Sequence, residues 1–247
     1  EYSKLLNKIR PVQGGYSVGF KRGNLSTTGT VGTCVYDQLP GADNTPPKQG
    51  IGRPNKYYLL STNHVLSNCN EGPIGDPIRQ PSYTDGGLEF EDCVARLARF
   101  IPIEFEPYKP RHLHNNFVDA AIAETDFRNL DRQIFWVGNL RGWRRRSMVK
   151  VGSIVQKTGR TTNFTTGRIV ALKATIDVNY GNGKLARFQD QIITTNMALG
   201  GDSGALLTTP DNIAVGLLFA TSPAVTIYNQ IEHVRSLLRI EVAEQVL

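Results

Sequence analysis

From Val12 onward the chain is written in short apolar runs, each cut off within a few residues by Gly, Ser, Thr, Asn or Pro. Such runs are too brief for helices that bury a face, and turn formers at both ends make them strands. Tyr16–Phe20, Gly29–Tyr36, Tyr57–Thr62, Cys93–Phe100, Met148–Val155, Thr165–Ile176, Phe188–Thr195, Ala205–Leu207 and Ala214–Ala220 all read this way. Asn179-Tyr-Gly-Asn-Gly183 is a hairpin turn, because its Asn and Gly residues accept the left-handed backbone that tight hairpins need. Leu39–Asn55, rich in Pro and Gly, reads as an exposed loop. Helical spacing is confined to the ends. Leu5, Leu6 and Ile9 predict a short helix stopped by Pro11, and Ile231, Val234, Leu237 and Leu238 predict an amphipathic one. The fold class is therefore all-β. A chain of 247 residues buries a core without staples, and two half-size β units are a natural division.

No apolar run approaches the roughly 18 residues of a membrane span, so no membrane partner is expected. The chain starts Glu1-Tyr2-Ser3-Lys4, without Met or an apolar signal core, as a trimmed or processed chain would. The net charge of +6 is densest at Arg141-Gly-Trp-Arg-Arg-Arg146, which could grip phosphate or an acidic partner. No nucleic-acid-binding module accompanies it, so nucleic acid is not the expected partner. Cys34, Cys69 and Cys93 lack the spacing of a zinc or redox pair. Reduced thiols are preferred over one disulfide plus a free thiol, which points to the cytoplasm, with secretion as the alternative.

Chemistry concentrates in three places. Gly200-Gly-Asp-Ser-Gly204 places Ser203 in a glycine-rich turn ahead of Ala205-Leu-Leu207. A serine hydroxyl needs a base to take its proton and donors to hold an oxyanion, and inward-turned amides of Gly201 and Ser203 would supply the donors. Read as structure alone, the same stretch is a turn entering a strand. His64 ends the apolar run Tyr57–Thr62, where a packed, hydrogen-bonded ring is the plainer reading and a general base the sharper one. Asp119 sits inside Phe117–Ala123, where a carboxylate is costly to bury without donors. It either caps a short helix or accepts hydrogen bonds from inside, an imidazole among them. His112 and His114 have the alternate spacing of a metal pair, but no further ligands accompany them, and neither metal nor cofactor is implied.

The order His64, Asp119, Ser203 is that of the triad in chymotrypsin-like double barrels. The segments Ser61-Thr-Asn-His-Val-Leu66, Val118-Asp-Ala-Ala-Ile-Ala123 and Gly200-Gly-Asp-Ser-Gly-Ala-Leu-Leu207 resemble the three active-site blocks of trypsin-like serine peptidases of bacterial type, and matches run from about residue 11 to 235. The resemblance implies two six-stranded antiparallel β-barrels with the site between them and a C-terminal α-helix. Its parts would be an arm at 1–11, a barrel at 12–135 carrying His64 and Asp119, a basic linker at 136–147, a barrel at 148–229 carrying Ser203, and a helix and tail at 230–247. It implies endopeptidase chemistry on a peptide or protein through an acyl-enzyme, with His64 as base, Asp119 as its orienting acid, Ser203 as nucleophile, and Gly201 and Ser203 as the oxyanion donors. A catalytically idle peptide-binding or scaffolding module on the same fold is the alternative, and an activating partner remains open.

Departures from the family pattern carry their own expectations. Nothing resembles the activation peptide whose new terminus pairs with the Asp before the serine, so Asp202 needs another partner. Val155-Gln-Lys-Thr-Gly-Arg-Thr-Thr-Asn163 is similar to a segment of secreted bacterial members in which a basic residue fills this role, and Lys157 stands there. Gln156 and Thr166 stand where those relatives carry a disulfide, and Val65 replaces the cysteine beside the histidine of animal enzymes. By the same resemblance Met197 would form the base of the specificity pocket, beside Ala198, and Phe219-Ala220-Thr221 its wall. An uncharged base favours an apolar residue before the cleaved bond.

Overall fold

The structure, a computed structural model, describes residues 4–38, 56–88 and 90–243, so the loop expected over Leu39–Asn55 lies outside the described residues. The C-terminal half closes into an antiparallel barrel of six strands, Ile154–Gly159, Asn163–Asn179, Leu185–Thr195, Val225–Gln230, Ala214–Thr221 and Leu206–Thr208, in that order around it. The N-terminal half is, among the described residues, a nine-stranded antiparallel sheet built on a path of six strands. Its central path runs Thr33–Asp37, Tyr57–Ser61, Ala121–Thr125, Cys93–Phe100, Pro77–Arg79, Ser17–Arg22. The extra strands add at its ends. Ile240–Val242, expected to be tail, pairs with Thr33–Asp37, and Leu25–Ser26 and Gly29–Thr30 both pair with Ser17–Arg22.

Three apolar clusters explain why the strand signals are continuous runs rather than clean alternations. Leu59 faces the N-terminal core with Val18, Phe20 and Leu97, while its neighbours Tyr58 and Leu60 face a second cluster with Leu206, Leu217 and Val234. That second cluster is the seam between the halves, so the strand is buried on both faces. Leu206 and Leu207 repeat the pattern, one at the seam and one in the C-terminal core beside Val155 and Leu218. Each such side chain contributes about 1.5–3 kcal/mol on burial, and the seam fixes the halves against each other.

The C-terminal helix is Ile231–Leu238, with Ile231, Val234 and Leu238 buried and Leu237 45% exposed, so Leu237 does not belong to the packed stripe. Arg239 in the left-handed conformation ends the helix and turns the chain into its last strand. The N-terminal helix is a single 3-10 turn, Lys4–Leu6, with Leu5 buried; Ile9 donates its amide to Gln80 instead of continuing the turn. The strand expected at Met148 begins only at Ile154, after a 3-10 turn at Arg146–Met148. The basic stretch before it lies along the C-terminal barrel, where Arg141 and Arg144 donate their amides to Asn212 and Ala214. Beyond the barrel Asn163–Asn179 and Leu185–Thr195 run on as a hairpin arm, turned at Gly181 and Gly183 in positive φ. The arm reaches the N-terminal half, where Leu185 accepts from the Glu106 amide and Asn116 from that of Gln189.

Candidate active site

Strand Tyr57–Ser61 delivers the chain to the short helix Asn63–Leu66, whose Val65 and Leu66 are fully buried. Asn63 pins this turn from below, donating to Asn70 Oδ1 and the Ile101 carbonyl and accepting from the Asn70 amide. His64 is left at the cleft with its side chain 22% exposed. Asp119, fully buried, lies just before strand Ala121–Thr125 in irregular chain, so it caps no helix. Its Oδ1 accepts the His64 amide at 3.1 Å, and its Oδ2 accepts His64 Nδ1 at 2.5 Å and the Tyr180 hydroxyl at 2.8 Å. Its own amide donates to Asn229 Oδ1 at 3.0 Å. These donors offset the desolvation of the carboxylate. A carboxyl oxygen at Nδ1 favours the tautomer that carries its proton there and keeps the lone pair on Nε2.

The Ser203 loop is fastened to strand Gly29–Thr30, which Ser61 in turn holds. Thr30 donates its amide to the Ser203 carbonyl at 2.7 Å and its hydroxyl to the Gly201 carbonyl at 3.0 Å, while the Ser61 hydroxyl donates to the Thr30 carbonyl. Ser61 is three residues from His64, so the loop docks near that histidine. Gly204, at φ +98°, has no room for a Cβ: one would run into Ser61 Oγ and the Thr30 carbonyl. Neither Ser203 Oγ nor His64 Nε2 has a hydrogen-bond partner among the described residues. Such bonds are often long before substrate binds. The amides around the serine divide sharply. Asp202 donates to Leu199, Gly204 to Leu218 and Ala205 to Asp202, whereas the amides of Gly201 and Ser203 meet no acceptor among the described residues. Two free donors flanking a hydroxyl are what an oxyanion requires.

Asp202 turns away from the cleft into the barrel. It lies 3.4 Å from Lys157 Nζ, both side chains being fully buried. The carboxylate also accepts the amides of Thr161, Thr162 and Leu199 at 2.8, 3.1 and 3.1 Å and the Thr162 hydroxyl at 2.6 Å. Lys157 donates to that same hydroxyl and to the Asn163 carbonyl. Burial lowers the Lys157 pKa and the Asp202 charge opposes that shift. Gln156 and Thr166 are direct partners across adjacent strands. The three cysteines are unpaired.

The expected specificity pocket is only partly assembled. Met197 and Ala198 are buried, and Thr221 donates its hydroxyl to the Ala198 carbonyl at 3.1 Å, which joins base and wall. Phe219 faces the other way, 4.8 Å from Phe188 in a cluster with Ile103 and Phe105, and Ala220 packs against that cluster. Leu218 takes the barrel-facing position, and a register shift follows it before Ala220. Phe219 thus packs in a different apolar cluster from Met197 and Ala198. His114 Nε2 bonds the Lys109 carbonyl and its Nδ1 accepts the Arg187 amide, while His112 is exposed.

Residues that sequence reasoning missed share one trait, a long separation along the chain. Thr30 bonds Gly201 across 171 positions, and Tyr180 bonds Asp119 across 61. Arg160, paired with the buried carboxylate of Asp85, donates its amide to Thr30 Oγ1 and stiffens the same corner. Tyr180 had a signal, since it heads the Gly-Asn-Gly turn, but the turn explained the glycines and not the aromatic.

No known family's sequence model matches the chain. A curated relative, serine protease 1 of Rarobacter faecitabidus, is 36% identical over 93 residues, 35% of this chain; the chain spans 16% of that protein's length. Among solved structures, Thermobifida fusca protease A superposes with a TM-score of 0.60 at 17% identity, over 94% of this chain and 98% of that one. The Nocardiopsis protease matches at 0.60 and 16%, over 94% and 98% of the two chains. The Cellulomonas bogoriensis chymotrypsin gives 0.59 and 20%, over 95% and 99%. The chain has the chymotrypsin-like fold of these bacterial serine proteases. Among the described residues no helix is long and apolar enough to cross a membrane.

Proposed function

We propose that this chain, on its chymotrypsin-like fold, is a serine endopeptidase acting on peptide or protein substrates. In this reading Ser203 Oγ attacks the carbonyl carbon as His64 Nε2 takes its proton, and Asp119 supports the imidazolium that results. The amides of Gly201 and Ser203 hold the oxyanion. Collapse expels the amine, protonated by His64, and leaves an acyl-serine; a water activated by the same imidazole then releases the acid. The observation that carries the reading is the pairing of His64 Nδ1 with buried Asp119 at 2.5 Å, beside a serine flanked by two unengaged amides. Lys157 is assigned the task that a cut terminus performs elsewhere, holding Asp202 so that the loop keeps its shape without processing.

The residue before the cleaved bond is proposed to be uncharged and apolar, because Met197 stands at the base and the hydroxyls near it, Thr165 and Thr226, are engaged with its backbone. The reducing, cytoplasmic location expected from the unpaired thiols draws no support from the bacterial proteases with this fold.

A fluorophosphonate probe tests the chemistry. It should modify Ser203 and no other serine, and His64→Ala should abolish the labelling while leaving the protein folded. Removing a triad member lowers turnover by roughly 10^4–10^6-fold. An idle peptide-binding module would stay unlabelled. Peptide-library cleavage read by mass spectrometry tests specificity, and a strong preference for Arg or Lys before the cut would overturn the apolar assignment.

A further inference from the structure

The hairpin arm carries an aromatic where its turn needs none. Gly181, Asn182 and Gly183 adopt the positive φ values that make the turn, and Tyr180 closes it through its amide to the Lys184 carbonyl at 2.9 Å. Its side chain bends inward. The hydroxyl donates to Asp119 Oδ2 at 2.8 Å, the very oxygen that takes His64 Nδ1. The ring stands edge-on to His64, with centroids 5.7 Å apart, and edge-on to Phe105 at 5.4 Å. The tip is fastened on both sides. Lys184 pairs with Glu71, seven residues after His64, and the next residue, Leu185, accepts the Glu106 amide. A phenol in this position remains a donor, because desolvation and the charge of Asp119 raise its pKa well above the ordinary tyrosine value.

Resting on the peptidase reading above, we propose that Tyr180 is a positioning residue: the arm of the C-terminal barrel reaches across to hold the Asp119 carboxylate and moderate its grip on His64. An oxygen shared by two donors offers less charge to each. Removing the phenol hydroxyl leaves more charge facing Nδ1, so the His64–Asp119 bond tightens while the carboxylate loses one restraint on its rotation. The base would then be better paired and worse aimed. Among the described residues the Tyr180 hydroxyl bonds Asp119, and its effect passes through that carboxylate.

Tyr180→Phe removes one oxygen and keeps the ring contacts with His64 and Phe105. The Nδ1 proton of His64 gives a low-field NMR resonance, and in Tyr180→Phe it should move to still lower field. A fluorinated tyrosine at 180, a stronger donor, should move it to higher field. Turnover should fall in kcat with KM unchanged, by roughly tenfold, the lower end of what a hydrogen bond to a charged group is worth. A resonance that stays in place in the folded variant would overturn the assignment. So would a rise in KM alone, which would make Tyr180 a wall of the cleft. Failure of the fluorophosphonate probe on the unaltered protein would sink the peptidase reading instead, and the resonance would still decide whether Tyr180 acts on the Asp119–His64 pair.

Discussion

On the N-terminal side of the cleft His64 is held largely by hydrocarbon: Leu59, Leu60, Val65 and Leu66 are completely buried around it, and the carboxylate that bonds it, Asp119, is taken out of water. On the C-terminal side Ser203 is held by charge, on a loop whose anchor is Asp202 with Lys157, Thr161 and Thr162. The difference follows from what each side must leave free. His64 rides a strand held by backbone ladders and a helical turn whose His64 amide goes to Asp119, so side-chain packing, Asn63 and that one carboxylate aim it. The serine loop leaves the amides of Gly201 and Ser203 unbonded, as the proposed oxyanion role asks, so no ladder holds it there. A buried acceptor drawing in the neighbouring amides is the remaining way to give it one shape.

The contrast breaks most visibly at Asp202. In Asp202→Ala the Lys157 ammonium loses its counter-charge and the amides of Thr161, Thr162 and Leu199 lose their acceptor. Breaking a buried pair costs about 3–5 kcal/mol, read in urea unfolding. Ser203 labelling should vanish as well. Adding Lys157→Met should restore stability but not labelling, because the stranded charge is gone while the loop is still unanchored. Restoration of labelling by the double variant would show that the ion pair does not shape the loop.

Leu60→Ala sharpens the other side. A cavity at the seam should cost about 2–5 kcal/mol, a loss similar in size. Here, however, the protein that remains folded should label at the normal rate, since the His64–Asp119 bond is untouched. Equal loss of labelling in both variants would erase the distinction between the two sides. The smallest effect belongs to Thr162→Val, which removes the hydroxyl that donates to Asp202 and accepts from Lys157. It should lower stability by about 1–2 kcal/mol and slow labelling without ending it.

The same contrast governs what the sequence could disclose. Apolar runs such as Tyr57–Ser61 and Ala214–Thr221 are visible because burial on both faces demands an unbroken run, and the hairpin turn is visible because its glycines and asparagine are dictated locally. His64, Asp119 and Ser203 stood out as polar residues in apolar company, in a telling order. Long-range economy was not visible. Ile240–Val242 is too short to declare itself a strand until Thr33–Asp37 offers an edge, and the bend that turns Phe219 from Met197 to Phe188 depends on a register shift between strands. Leu237 fits the helical period yet faces water, because the helix presents a narrower stripe than its apolar residues suggest. Thr30 and Tyr180 are ordinary residues in ordinary settings until the halves close.

The most direct measurement is a crystal structure of the chain after reaction with a fluorophosphonate, whose phosphoryl oxygen mimics the oxyanion. The account predicts phosphorus bonded to Ser203 Oγ, the phosphoryl oxygen within hydrogen-bond reach of both the Gly201 and Ser203 amides, and His64 Nε2 turned toward the adduct with Nδ1 still on Asp119. An adduct whose phosphoryl oxygen points to solvent, with those two amides bonded elsewhere, would contradict it.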